Sequence, residues 1–202
     1  MHIAVIFGAL SPYHLVRMAA AEELAKKRNW RVTTIERVGY QAEYPSFGRV
    51  TRSDISISRA YEKKDPAPSD ELSARQLIGL LSELKPNVAV FGRSSPVYFA
   101  VLNWCRKMNI ACVLFSDSTV YDFKRIIWKE WIKGRITRLF AAGLVAGTRQ
   151  REYLEMLGMP SGRISLGYDV VDNSHFSAGA ERARQDMIGA RRKFGLPESY
   201  FL

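Results

Sequence analysis

Twice in this chain an unbroken apolar run ends in a glycine and leads, a few residues on, to a Ser-Pro pair. Ile3-Ala4-Val5-Ile6-Phe7 precedes Gly8-Ala9-Leu10-Ser11-Pro12, and Val88-Ala89-Val90-Phe91 precedes Gly92-Arg93-Ser94-Ser95-Pro96. An apolar run without polar alternation suits a strand covered on both faces, as in a parallel sheet. The glycine turns the chain, Ser11 or Ser95 is placed to cap a helix, and Pro12 or Pro96 fits the first helical position. Each unit is a strand, a turn and a helix, so an open α/β sheet is expected. Right-handed crossovers then bring all such turns to one edge, where open α/β sheets bind ligands.

Val32-Thr33-Thr34-Ile35 reads as a second strand, with Glu36 at its end. A dinucleotide site would use Glu36 on a ribose but needs three glycines in the first turn, and only Gly8 is there. Glu36 is therefore read as a surface residue. From Gly39 to Ser69 the chain is loop-like apart from Ile55-Ser56-Ile57-Ser58. Its Tyr40, Tyr44, Phe47 and arginines suit sugar stacking or acceptor recognition, and a flexible surface excursion is the equal alternative. Ser69-Asp70-Glu71 starts a helix buried through Leu77, Leu80, Leu81 and Leu84 and ended by Pro86. Ala111 to Phe115 forms another strand and delivers Ser116-Asp117-Ser118-Thr119 to the same edge. Asp117 has two readings there, a chemically active carboxylate or an ordinary helix cap.

Tyr121 to Ala142 is expected as one long helix, with Phe123, Ile127 and Trp131 on one side and Trp128, Ile132, Ile136 and Leu139 on the other. One stripe can serve the sheet. The other, flanked by Lys124, Arg125, Lys129, Lys133, Arg135 and Arg138, has the composition of a helix lying on anionic lipid. Packing against a partner domain or subunit is the alternative.

Leu144 to Phe176 carries a signal at every joint. A short apolar run ends at Gly147, Thr148 is placed to cap, and Tyr153, Leu154 and Leu157 recur at helical spacing. Gly158 is the left-handed stop with Pro160 beyond it, Ile164 to Leu166 resumes a strand, and Gly167 to Asn173 leaves as a polar loop. This order, with the opening MHIAVIFGALSPYHLVRMAA and its "PYH…R" element, resembles the N-terminal domain of family 4 glycosyltransferases of the GT-B fold. The resemblance implies a Rossmann-like open parallel β-sheet with helices on both faces over residues 1–176. It implies an enzyme moving a sugar from a nucleotide-diphosphate donor to a glycan or lipid-linked acceptor hydroxyl, with retention, no cofactor and no obligatory metal. It implies Asp117 as the catalytic carboxylate, although many members of the family have a histidine at about this place. Tyr13, His14, Arg17, Arg93, Ser94 and Ser95 would bind the acceptor, and Gly8, Ser11, Gly147 and Thr148 would stand on the donor-phosphate side. Lys124, Ile127, Trp131 and Lys133 would meet the membrane, since lipid-linked acceptors are common in the family.

Residues 177–202 read as a linker helix, Ala178 to Phe194, and the first residues of a donor domain, because Tyr200-Phe201-Leu202 begins an apolar strand. The family's E-x7-E donor motif has no match here, so this part alone is expected to be inactive. A net charge of +10, from 30 Lys+Arg against 20 Asp+Glu, admits phosphorylated substrates, anionic lipid or nucleic acid. No RNP, HTH or KH element favours nucleic acid, which is not an expected partner. No run of eighteen apolar residues and no signal-peptide pattern is present, so a cytoplasmic protein, at the inner face of the membrane, is expected. Cys105 and Cys112 lack metal-ligand spacing and read as reduced core thiols. The competing functions are a sugar-nucleotide epimerase of similar two-domain architecture and a non-catalytic basic binding module.

Overall fold

The computed structural model describes residues 1–38, 51–61, 68–93, 95–197 and 199. The aromatic loop with Tyr40, Tyr44 and Phe47, Ser94, and the expected strand at Tyr200-Phe201-Leu202 lie outside the described residues. The chain divides into two compact units, Met1–Val170 and Val171–Leu202.

In the first unit the strands are β1 (His2–Phe7), β2 (Arg31–Glu36), β3 (Ile57–Arg59), β4 (Val88–Phe91), β5 (Ala111–Ser116), β6 (Ala142–Val145) and β7 (Ile164–Leu166). They form a seven-stranded sheet in the order β3-β2-β1-β4-β5-β6-β7. Every neighbouring pair is parallel, from Phe7 opposite Glu36 at one pair to Ser116 opposite Val145 at another. The connecting helices are α1 (Pro12–Lys27), α2 (Asp70–Leu84), α3 (Pro96–Lys107), α4 (Ile127–Thr137) and α5 (Thr148–Met156). This is the α/β, Rossmann-like open parallel sheet that the sequence predicts.

Side chains alternate across the sheet with a period of two. On one face Ala4, Ile6, Ala89, Phe91, Leu114 and Val145 pack with Leu77, Leu81, Val101, Leu102 and Leu154 from the helices. On the other, Val5, Val32 and Val90 pack with Leu15, Met18 and Ala25 of α1. Cys105 and Cys112 are free and buried. Glycine is favoured at two places. A Cβ on Gly143 in β6 would stand 2.8 Å from Leu154 Cδ1 and 2.9 Å from Met159 Sδ, and Gly158 closes the turn after α5 at φ +93°.

Three expectations for this unit need correction. The helix over Tyr121–Ala142 is confined to Ile127–Thr137. Ahead of it, Asp122 accepts from the Thr119 N–H at 2.8 Å, Thr119 Oγ1 accepts from the Tyr121 N–H at 3.2 Å, and the Arg125 guanidinium donates to the carbonyls of Val120 and Thr119. Side chains thus take the backbone groups that a helix would use. Glu36 is not a surface residue, for it is 1% exposed. The expected side-chain caps also differ: Gly147, not Thr148, precedes α5, and Ser95 Oγ is buried without a hydrogen-bond partner.

The second unit contains α6 (Asn173–Gln185) and α7 (Met187–Phe194), not the single helix Ala178–Phe194. Asp172 caps the first by accepting the His175 N–H and Asp186 caps the second by accepting the Gly189 N–H, both at 2.9 Å. Asp186, at φ −133° and ψ 68°, is where the helix breaks.

Candidate functional site

At the C-terminal ends of β1, β4 and β5 lies a cleft of about 710 Å3. Because the strands are parallel, the turn after each of them opens on this edge. β1 delivers Gly8, Ala9 and Ser11, and the first turns of α1 add Tyr13, His14 and Arg17. β4 delivers Arg93 and β5 delivers Ser116, Asp117 and Ser118. Arg125, Lys133, Ile136 and Tyr153 form a far wall, and Tyr168 and Asp169 close the near side.

Buried Glu36 sets the position of the first turn. Its Oε1 accepts the Leu10 N–H at 3.0 Å and its Oε2 accepts from Arg59 Nε at 2.9 Å. The carboxylate that a ribose would have needed is therefore spent on holding the β1–α1 loop to the end of β2.

His14 Nδ1 accepts the backbone N–H of Ser11 at 3.1 Å. A backbone N–H can only donate, so in the neutral ring the proton sits on Nε2. Burial first, and the Arg17 charge second, pull the His14 pKa down to about 4. At neutral pH His14 is an uncharged imidazole with one N–H to offer. Phe7 packs against its ring at 4.3 Å between centroids.

Arg17 reaches across to the exit of β7, pairing with Asp169 and donating from Nε to the Val170 carbonyl at 2.8 Å. Tyr168 stacks on Phe115 with centroids 4.8 Å apart. Burial, then the charges of Asp117 and Asp169, push the Tyr168 hydroxyl up to about 12, so it remains a donor. Asp117 itself is exposed at the rim.

The far wall is organised by the buried Tyr153. Its hydroxyl donates to Glu130 Oε2 at 2.7 Å and accepts from Arg125 Nη1 at 2.9 Å and Lys133 Nζ at 3.3 Å. Arg93 donates to Thr137 Oγ1 at 3.2 Å and lies over the same ring.

Of the residues singled out in the sequence, Gly8, Ser11, Tyr13, His14, Arg17, Arg93 and Asp117 line this one cleft. Ser95, Gly147 and Thr148 do not line it, and Ser94 lies outside the described residues. Lys124, Ile127 and Trp131 stand away from it, whereas Lys133 turns to Glu130 and Tyr153 and belongs to the cleft wall. Sequence reasoning missed Arg125, Tyr153, Tyr168 and Asp169 as cleft residues. Tyr153 reads as one more apolar position of α5, and nothing local marks its hydroxyl as a meeting point for Arg125, Lys133 and Glu130.

The parallel sheet with its opening at the strand C-termini defines a Rossmann-like α/β domain. Solved structures that share the fold include UDP-N-acetylglucosamine 2-epimerases. The one from Rickettsia bellii is 13% identical, with TM-score 0.56 over 98% of this chain and 52% of that one. The one from Neisseria meningitidis, bound to UDP-GlcNAc, is 15% identical, with TM-score 0.53 over 82% and 45%. The S. aureus MnaA structure with UDP is 13% identical, with TM-score 0.54 over 85% and 48%. The chain thus spans about half the length of these structures. No family model matches it, and no curated protein does either.

Proposed function

We propose that this chain is the acceptor-side half of a two-domain glycosyltransferase, moving a sugar from a nucleotide-diphosphate donor to an acceptor hydroxyl with retention. The observation that carries the reading is the convergence of Gly8, His14, Arg93 and Asp117 on one cleft at the strand C-termini. In this reading Asp117 orients or deprotonates the acceptor hydroxyl, or stabilises positive charge on the reacting sugar. His14 Nε2–H donates a hydrogen bond to the bound sugar or acceptor, and Tyr13 and Arg17 line the acceptor side. Gly8 and Ser11, at the start of α1, meet the donor phosphates, for which a helix N-terminus is suited. Gly147 and Thr148, at the start of α5, serve the same ligand only if the second domain carries the donor across to them. Residues 177–202 lead into that donor domain.

The test is the kinetics of Asp117→Asn in the two-domain enzyme. The account expects transfer to fall roughly 10²- to 10⁴-fold, the range for a positioned acid or base, with little change in donor KM. Wild-type turnover by the variant would remove Asp117 from the reaction.

A second reading, a sugar-nucleotide epimerase, draws support from the solved structures that share the fold, several of which are UDP-N-acetylglucosamine 2-epimerases. It needs no acceptor, and its product is the donor with one inverted centre.

The exposed face of α4 suits an anionic membrane surface in the cytoplasm. Ile127 is 90% exposed, Trp128 61% and Trp131 63%. Lys129 lies over Trp128 and Arg135 over Trp131, with Lys124 just ahead of the helix. Aromatic rings within a basic rim are the composition of interfacial helices. No described helix is long and apolar enough to cross a membrane.

A further inference from the structure

Three cations of the far wall converge on one aromatic ring. Arg125 Cζ, Arg93 Cζ and Lys133 Nζ stand 4.5, 5.7 and 6.0 Å from the Tyr153 centroid. Glu130 answers two of them, Lys133 at 2.7 Å and Arg125 at 3.5 Å. Asp122, nearby, is held by the N–H and hydroxyl of Thr119. Three positive charges against these two carboxylates leave the wall positive.

The three differ in what they can still bind. Arg125 has four of its five N–H donors engaged, on the carbonyls of Val120 and Thr119, on Tyr153 and on Glu130. Arg93 carries five N–H donors and gives one to Thr137 Oγ1. The residue is half-buried, and burial lowers its pKa without neutralising it. A half-buried guanidinium with spare donors, sharing the Tyr153 ring and the cleft with an ammonium 37% exposed, is suited to a tetrahedral oxyanion.

We propose that Arg93 and Lys133, backed by Arg125 on the Tyr153 ring, form a subsite for a phosphate group carried by the acceptor. This deepens the glycosyltransferase reading and rests on it for the word acceptor. The phosphate subsite itself does not need that reading. Asp117 and His14 line the same cleft, so an acceptor anchored by its phosphate on this wall shares one opening with the residues assigned to chemistry.

The test is calorimetric titration of the chain at low ionic strength with glycerol 3-phosphate, glycerate and glycerol. Glycerol 3-phosphate is expected to bind, glycerate several-fold more weakly, and glycerol not at all. Arg93→Gln and Lys133→Gln should each weaken glycerol 3-phosphate roughly tenfold or more, as loss of a charge-assisted hydrogen bond does. Lys107→Gln, at the far end of α3, should leave it unchanged. Should Arg93→Gln fail to fold, the partly exposed Lys133→Gln carries the same reading. Equal affinity in the Lys133 and Lys107 variants would overturn the subsite, and so would equal binding of glycerate and glycerol 3-phosphate. Asp117→Asn separates the two claims: if phosphate binding needs Arg93 while transfer is indifferent to Asp117, the subsite stands and the transferase mechanism falls.

Discussion

The carboxylate of Glu36 and the backbone N–H of Leu10 meet at 3.0 Å, tying the end of β2 to the loop that follows β1. The same carboxylate pairs with Arg59, so one buried group supports the loop bearing Gly8 and Ser11 and fixes the edge strand β3. Glu36→Ala removes the acceptor from Leu10 and the carboxylate from Arg59, and should cost about 3 kcal/mol or more, the usual penalty for breaking a buried pair. Glu36→Gln keeps an oxygen for Leu10 and should cost clearly less. Urea denaturation of the two variants checks the order; equal losses would mean that the Leu10 bond contributes nothing.

His14 predicts an acid sensitivity. Its folded pKa of about 4 lies below the ordinary 6.5, so between these values the unfolded chain binds more protons than the folded one. Stability from this group is complete above pH 6.5 and is lost as pH falls towards 4, by at most about 3 kcal/mol for a ring not fully buried. His14→Asn keeps an acceptor for Ser11 and should flatten that part of the profile. The readout is the difference between wild-type and variant stability across pH 7 to 4, which cancels the carboxylates and His2. A constant difference would place His14 in water.

Gly143 and Gly158 predict two kinds of damage. Gly143→Ala drives a methyl against Leu154 and Met159, whose flexible ends can give, so overpacking should cost about 1–3 kcal/mol. Gly158→Ala forces a side chain into φ +93° beside the Arg138 guanidinium and should cost at least about 1 kcal/mol. Thermal melts of both read the effect. Gly162→Ala, where nothing lies within 4 Å, serves as the neutral comparison.

The exposed α4 face predicts lipid binding that depends on charge. Flotation with vesicles containing anionic phospholipid should carry the wild-type protein and lose most of Trp131→Glu, while neutral vesicles carry neither. Retention of Trp131→Glu on anionic vesicles would remove this face from the account.

The sheet and its open edge were legible because β1, β4 and β5 are apolar runs bounded by turn residues, signals that are local. What escaped depends on partners distant in sequence. Glu36 looked like a surface charge because Arg59, on a three-residue strand 23 positions on, gives no sign of its pairing. Helical periodicity from Tyr121 was outweighed by Thr119, Asp122 and Arg125, whose side chains capture backbone groups at short range. The Tyr153 wall joins α5 to residues of α4 and the β4 turn, a meeting that only the assembled fold creates.

The most direct test of the central claim is to follow a radiolabelled sugar from its nucleotide donor in the two-domain enzyme, with a phosphorylated and an unphosphorylated acceptor supplied. The account predicts label in the acceptor product, with the phosphorylated acceptor preferred. Label recovered in an epimerised nucleotide sugar, whether or not acceptor is present, would contradict it.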